Sequence, residues 1–354
     1  MYSRGIRPPV TSSTHCTPEP VSPGSKLNVA AIGFGGVGGS NVRNSADENI
    51  VALCDVDANY AAKKFAQYPQ AKQFIDYRVM LDRTKPEFVI ALGHHSAMPA
   101  AFRHLVETGI PFLMEKPWGT DDRTVRELAD LAEEKRAWAA VPMPFRYSWW
   151  AETAKRMRER GELGAISHIQ FRFNQPGVQR YIDSGSSWIL TKKDAGGGAL
   201  INLGIHGFDI LRYITGEEPT VVAAVTSHAT QRREVEDYAH VTMRTPSGIV
   251  CLNEASYTYP VNGSDQERKV AAEKAVLVGV TAGGCASPMA SSTPPDTSAS
   301  SRFMLHAWRL LVCSCRASGS QGQDALCLHQ CVWWRTHAGG GIVAYANGKN
   351  QCCA

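Results

Sequence analysis

Leu27-Asn28-Val29-Ala30-Ala31-Ile32-Gly33-Phe34-Gly35-Gly36-Val37-Gly38 is the stretch on which the reading of this chain turns. A short apolar run ends abruptly in glycines, as a strand buried on both faces does where it enters a tight turn. The turn has the spacing G-x-G-x-x-G. One glycine permits the turn, the second lets main chain approach a pyrophosphate, and the third lets helix and strand pack closely. The phosphates then rest on amides at a helix N-terminus. In a chain with 31 glycines the spacing alone is weak. Asp55 supplies context, because it closes a second apolar run 22 residues after Gly33, where a carboxylate accepts the hydroxyls of an adenosine ribose. Gly33, Phe34, Gly35, Gly36, Val37, Gly38 and Asp55, with Glu115 and Lys116 further along the chain, are the expected cofactor-binding residues. The expected cofactor is NAD rather than NADP, since Asp55 repels a 2′-phosphate and Val56, Asp57 and Ala58 offer no arginine to hold one.

Working outward, Phe88 to Leu92 and Pro111 to Met114 read as two further strands. Helical patterns lie between the strands at Ala58–Gln67, Pro99–Thr108 and Asp121–Arg136. Such alternation predicts an α/β fold with a doubly wound parallel sheet. After Val141 the rhythm changes. A helix is expected at Ala151–Arg160, and then Ile169, Phe171 and Phe173 alternate with His168, Gln170 and Arg172. Val221–Val225, Ala239–Met243 and Ile249–Tyr259 add strand patterns. One-sided alternation predicts a second α/β domain with an open, mostly antiparallel sheet exposing one face. The expected division is a disordered leader over 1–25, a dinucleotide-binding domain over 26–145, a substrate and oligomerisation domain over 146–280, and an atypical tail over 281–354.

The bulk numbers exclude several classes. With 37 basic and 33 acidic residues the net charge of +4 gives no reason to invoke nucleic acid or an anionic membrane surface. No apolar run approaches the roughly 18 residues of a membrane span. The first 25 residues lack the apolar core of a signal peptide, so a soluble cytoplasmic protein is expected. No paired C-x-x-C units stand at zinc spacing, and no metal is expected. Cys54, inside a strand pattern, reads as a small buried thiol.

Two more segments carry chemistry. The strand ending at Met114 runs into Glu115-Lys116-Pro117, placing a lysine at the carboxyl edge of the sheet, where ligands of open α/β sheets sit. Later comes Gly196-Gly197-Gly198-Ala199-Leu200-Ile201-Asn202-Leu203-Gly204-Ile205-His206-Gly207-Phe208-Asp209. If this is helical, Asn202, His206 and Asp209 share one face. Taken singly, Lys116 reads equally as a solvated cation and His206 as a satisfied helix histidine.

Together, from Leu27 to about Lys274, these segments resemble the Gfo/Idh/MocA oxidoreductases, a family that includes inositol dehydrogenase and glucose–fructose oxidoreductase. The resemblance implies a Rossmann domain followed by an open-sheet domain often used in oligomerisation. It implies a site between the domains in which Lys116, beside Glu115, polarises the reacting oxygen of a sugar, inositol or related polyol. His206 exchanges the hydroxyl proton, and hydride passes to or from the nicotinamide. Asn202 stands where many members carry Asp, and its amide is expected to orient His206 or bind a substrate hydroxyl. Leu92, Gly93 and Ala97 replace a common T-P-x-x-x-H pattern, and His94 and His95 between them are read as loop polarity. Arg146, where the family often has a basic residue, either contacts substrate or pairs with an acid across the domain junction. Trp188 either walls the pocket or belongs to the core. Two alternatives to a simple dehydrogenase are kept. One is transient oxidation serving elimination or hydrolysis, and the other is a cofactor-binding protein without turnover.

The last 74 residues differ in kind. Only Asp296, Arg302, Arg309, Arg316, Asp324, Arg335 and Lys349 are charged, while seven of the ten cysteines fall there. From about Thr281 the chain therefore reads as foreign to the fold, an out-of-frame continuation, with a low-complexity tail as the alternative.

Overall fold

The computed structural model describes residues 26–260 and 263–283. The first sheet is built from β1 (Asn28–Ile32), β2 (Asn49–Cys54), β3 (Lys72–Phe74), β4 (Phe88–Ala91), β5 (Phe112–Met114) and β6 (Ala139–Ala140). Its order is β3-β2-β1-β4-β5-β6 and every pairing is parallel. The strand order reverses between β1 and β4, and the crevice at their carboxyl ends is where such sheets bind ligands. Side chains of successive residues leave opposite faces. Ala30, Ala52, Val89 and Met114 therefore enter one apolar cluster, while Val29, Leu53, Ile90 and Leu113 enter another. That two-sided burial is why the strands read as continuous apolar runs. Cys54 is among the buried residues, its thiol pushed up to about 12 by burial and then by Asp55 and Asp76.

The expected helices form at Ala58–Phe65, Met98–Thr108, Asp122–Glu134 and Trp149–Glu159. Gly109 ends the second of them at φ 69°, a left-handed conformation that glycine adopts at no steric cost. Helix Tyr77–Thr84, capped by the Asp76 carboxylate on the Arg78 amide, was not anticipated, nor was edge strand β3, which has no apolar run.

The second sheet contains β7 (Ile166–Pro176), β8 (Thr220–Ser227), β9 (Tyr238–Arg244), β10 (Val250–Tyr259), β11 (Ser264–Ala272) and β12 (Val276–Gly283). Its order is β12-β11-β7-β10-β9-β8, antiparallel except for β7 against β10. Ile169, Phe171, Val241, Met243, Cys251 and Val270 point inward to the apolar cluster that continues into the first domain. The opposite face is open. β8 departs from one-sided alternation, since nearly all of its residues are exposed. β12 runs to Gly283, with Thr281 opposite Gln266, so strand pairing passes the expected boundary at Thr281 by three residues. Edge pairing uses main chain alone and tolerates such side-chain content. The expected leader over 1–25 and the rest of the tail, 284–354, lie outside the described residues.

Candidate active site

At the fingerprint turn, Gly33 has φ 67° and its amide donates to Cys54 O at 2.8 Å. A Cβ there would lie 1.8 Å from the Leu92 carbonyl oxygen, and one on Gly38 would lie 2.1 Å from that of Gly33. Both glycines are thus required by close approach of main chain, and helix Gly36–Asn44 begins on the turn with no acidic residue in its first turn. An anionic pyrophosphate suits that end of a helix. Asp55 sits at the carboxyl end of β2, with Oδ1 accepting from the Asp57 amide at 3.1 Å. These features fit a dinucleotide. The Phe34 ring is buried, edge-on to Phe65 at 4.9 Å, which leaves its main chain to the turn. Of the Gly36 and Val37 side positions nothing is described. Lys64, unforeseen from sequence, donates to the carbonyls of Phe34 and Gly35 and adds a cation beside the turn.

The chemical groups arrive from both domains. Buried Glu115 follows β5 and accepts from Asn41 Nδ2 of the fingerprint helix at 2.9 Å. Burial raises its carboxyl pKa, against the opposing pull of Lys116 and Asn41. Lys116 Nζ reaches across to the second domain, donating to Asn202 O at 2.8 Å and Asn202 Oδ1 at 2.7 Å. Burial pushes its pKa down to about 8, opposed by Glu115. The Asn202 amide donates to the Tyr181 hydroxyl at 2.9 Å. Asn202 is thus bonded to both Lys116 and Tyr181.

His206 is buried, edge-on to Phe145 with ring centroids 5.1 Å apart, and its Nδ1 has no hydrogen-bond partner. Burial, then the charges of Lys116 and Arg268, hold its pKa well below the usual histidine range. The expected single helix face is interrupted. Leu200–Gly204 forms a π-helical turn, and an α-helix over Ile205–Thr215 follows. The wider turn shifts Asn202 out of the simple i, i+4 relation, and Asn253 Nδ2 takes up the Gly204 carbonyl at 2.8 Å.

Arg146 is committed to Asp209, with Nε donating to Oδ2 at 2.8 Å and a second bond between NH2 and Oδ1. The ion pair is thus one of its two expected roles. Loop polarity does not describe His95 either. It is buried, with Nδ1 at 2.9 Å from Ala195 O, and burial pushes its pKa down to about 4. His94 stacks on half-buried Trp188 at 4.5 Å, and Ser96 bonds Asp194. The loop after β4 thus clasps the second domain beside the site.

A family model described as "Oxidoreductase family, NAD-binding Rossmann fold" matches residues 27–142, and one described as "GFO/IDH/MocA C-terminal domain" matches 151–278. The chain belongs to the Gfo/Idh/MocA family. Family relatives include the rhizopine catabolism protein MocA of Rhizobium meliloti, 24% identical over 58% of this chain and 62% of its own length. The D-glucoside 3-dehydrogenase of Escherichia coli is 27% identical over 59% of each. The chain thus spans about 60% of the length of these curated relatives. Among solved structures, GenD2 from gentamicin A biosynthesis in complex with NAD superimposes with a TM-score of 0.70 at 19% identity, covering 88% of this chain and 93% of that one. The myo-inositol 2-dehydrogenase of Lactobacillus plantarum gives 0.70 at 18% identity, covering 85% and 93%. At such identities these structures establish the fold shared across the family.

Proposed function

We propose that this chain is an NAD-dependent oxidoreductase that oxidises a secondary hydroxyl of a sugar, inositol or related polyol, or reduces the corresponding carbonyl. The observation that supports it most is the meeting of Lys116, Asn202 and His206 at the carboxyl edge of the sheet that carries the dinucleotide cradle. A bound nicotinamide would supply the two-electron acceptor. Lys116 has three N–H donors, two of them held by Asn202, which leaves one for the reacting oxygen. His206, kept neutral by its surroundings, takes the hydroxyl proton. The alcohol carbon thus loses hydride as its oxygen loses a proton, and a carbonyl results. Buried Phe145 and the His94–Trp188 stack shield this volume from water.

NAD is preferred over NADP in this reading, since the Asp55 carboxylate at the end of β2 would repel a 2′-phosphate and Lys64 is engaged with the turn carbonyls. A cytoplasmic location and assembly into a homo-oligomer through the open face of the second sheet belong to the same reading. Exposed Val225 on β8 and Val276 and Val278 on β12 support the latter. The deciding experiment follows NADH formation over a panel of sugars and polyols, beside calorimetric titrations with NAD and NADP. NAD binding without turnover of any compound would leave a cofactor-binding protein. Tighter binding of NADP would reverse the assignment of Asp55.

A further inference from the structure

Arg268 lies on the inward face of β11, opposite Phe171 of β7, and is only 5% exposed. Its guanidinium carbon stands 4.4 Å from the centre of the Phe145 ring and 5.5 Å from that of Phe171. Among the described residues its NH2 donates to Gln266 Oε1 at 2.9 Å, and Nε is buried without a partner. Among the described residues no carboxylate pairs with it. The acids nearest in sequence, Asp265 and Glu267, bond Arg172 instead.

A buried cation without a counter-ion is costly, and removing it from water is all that acts on its pKa, which falls to about 10. Phe145 also packs edge-on against His206, with ring centroids 5.1 Å apart. Lys116 and Arg268 are both charges that act on His206, so the three groups are neighbours. Of the nearby carboxylates, Glu115 acts on Lys116 and accepts from Asn41, and Asp209 is paired with Arg146, which leaves neither for Arg268. Asn202 contributes an amide where a carboxylate would have given negative charge. Any proton taken by His206 during oxidation would add a further positive charge beside Lys116 and Arg268.

We propose that the substrate brings the missing charge: Arg268 binds a carboxylate on the sugar or polyol, so the preferred substrates are sugar acids, uronates or aldonates, rather than neutral sugars. This rests on the dehydrogenase reading above. The planar, two-oxygen carboxylate matches the guanidinium fork, and with Phe145 and Phe171 packed against it the site offers too few donors for a phosphate dianion.

The test compares D-glucuronate, D-galacturonate and D-gluconate with D-glucose, D-glucuronamide, myo-inositol and D-glucose 6-phosphate, on the NAD-saturated full chain. Two readouts are taken, the ligand-induced rise in melting temperature and the initial rate of NADH formation. At least one acid should exceed its neutral counterpart by 10-fold or more in kcat/KM and should stabilise the protein where the neutral compound does not. Arg268→Gln should cut the acid-to-neutral ratio by about 10–100-fold, as loss of a charged hydrogen bond does. Arg268→Lys should retain part of it. Should Arg268→Gln not fold, the wild-type comparison of D-glucuronate with D-glucuronamide still decides, since the two differ by charge alone. Equal handling of acids and neutral sugars, preference for the phosphate, or no stabilisation by any acid overturns the proposal. Turnover of neutral polyols with indifference to acids would do so while leaving the dehydrogenase intact. Stabilisation by acids without NADH from any compound would retain the anion site and remove the dehydrogenase.

Discussion

Burial lowers the pKa of both Lys116 and His206, yet leaves them in different charge states. One remains a cation with its pKa lowered to about 8, and the other stays neutral far below the ordinary histidine range. Lys116→Ala and His206→Ala should each reduce turnover by about 10²–10⁴-fold while leaving NAD affinity nearly unchanged. Near-normal rates at saturating substrate in either variant would remove that residue from the chemistry. The pH dependence follows from the signs. His206 is already neutral well below pH 6.5, so the oxidation rate should be level through that range. Lys116 must stay protonated to polarise the oxygen, so the rate should fall as pH rises through about 8. Asn202→Asp would place a carboxylate on the Lys116 ammonium, favour its charged form and move that alkaline limb upward. An unmoved limb in this variant would show that Lys116 does not set it. Lys116, Asn202 and His206 were legible in the sequence because motif spacing marks them. Arg268 was not, since Gln266-Glu267-Arg268-Lys269 looks like an exposed polar strand and only the sheet's pairing turns alternate members inward.

The glycine run Gly196–Gly198 and the π turn after it illustrate what the element scale adds. A Cβ on Gly198 would lie 1.9 Å from the Glu236 carbonyl oxygen. The Glu236 carboxylate meanwhile accepts from the amides of Gly198 at 2.8 Å and Leu200 at 3.0 Å, capping the segment that leads to His206. Gly198→Ala should therefore displace the Asn202 turn from β9 and cost about 1–3 kcal/mol, the usual penalty of overpacking. Glu236→Gln keeps the shape but loses the charge, and should cost about 1 kcal/mol. Thermal denaturation measures both, and turnover should fall further in Gly198→Ala than its lost stability explains. A Gly198→Ala protein with unchanged melting temperature and rate would contradict the packing argument. The sequence announced this run through its glycines but not its partner. Glu236 lies 38 residues from Gly198 and meets it only through tertiary packing. β11 escaped notice for a related reason, because a sheet open on one face puts polar side chains in half of such a strand.

At the scale of the molecule, the two domains share one apolar cluster running from Ala30 and Met114 through Phe145 and Trp150 to Ile205 and Val270. Lys116 to Asn202, His95 to Ala195 and Ser96 to Asp194 add polar bonds across the same junction. Domains joined by a polar, solvated surface open independently, whereas a continuous core ties their stabilities together. The described part of the chain should consequently unfold in one cooperative transition, seen as a single calorimetric peak. NAD touches mainly the first domain, yet it should shift the whole transition upward. At 100 times its dissociation constant the gain is about 2.7 kcal/mol, which for a protein of this size raises the melting temperature by several degrees. Phe145→Ala offers the sharper version, because this ring contacts Phe171, Phe173 and His206 at once. Its loss should cost about 3–5 kcal/mol and begin to separate the peaks, with only the lower-numbered domain still responding to NAD. Two resolved peaks in the unsubstituted protein, with NAD moving one of them, would mean that the shared cluster does not couple the domains and that the site between them is free to open.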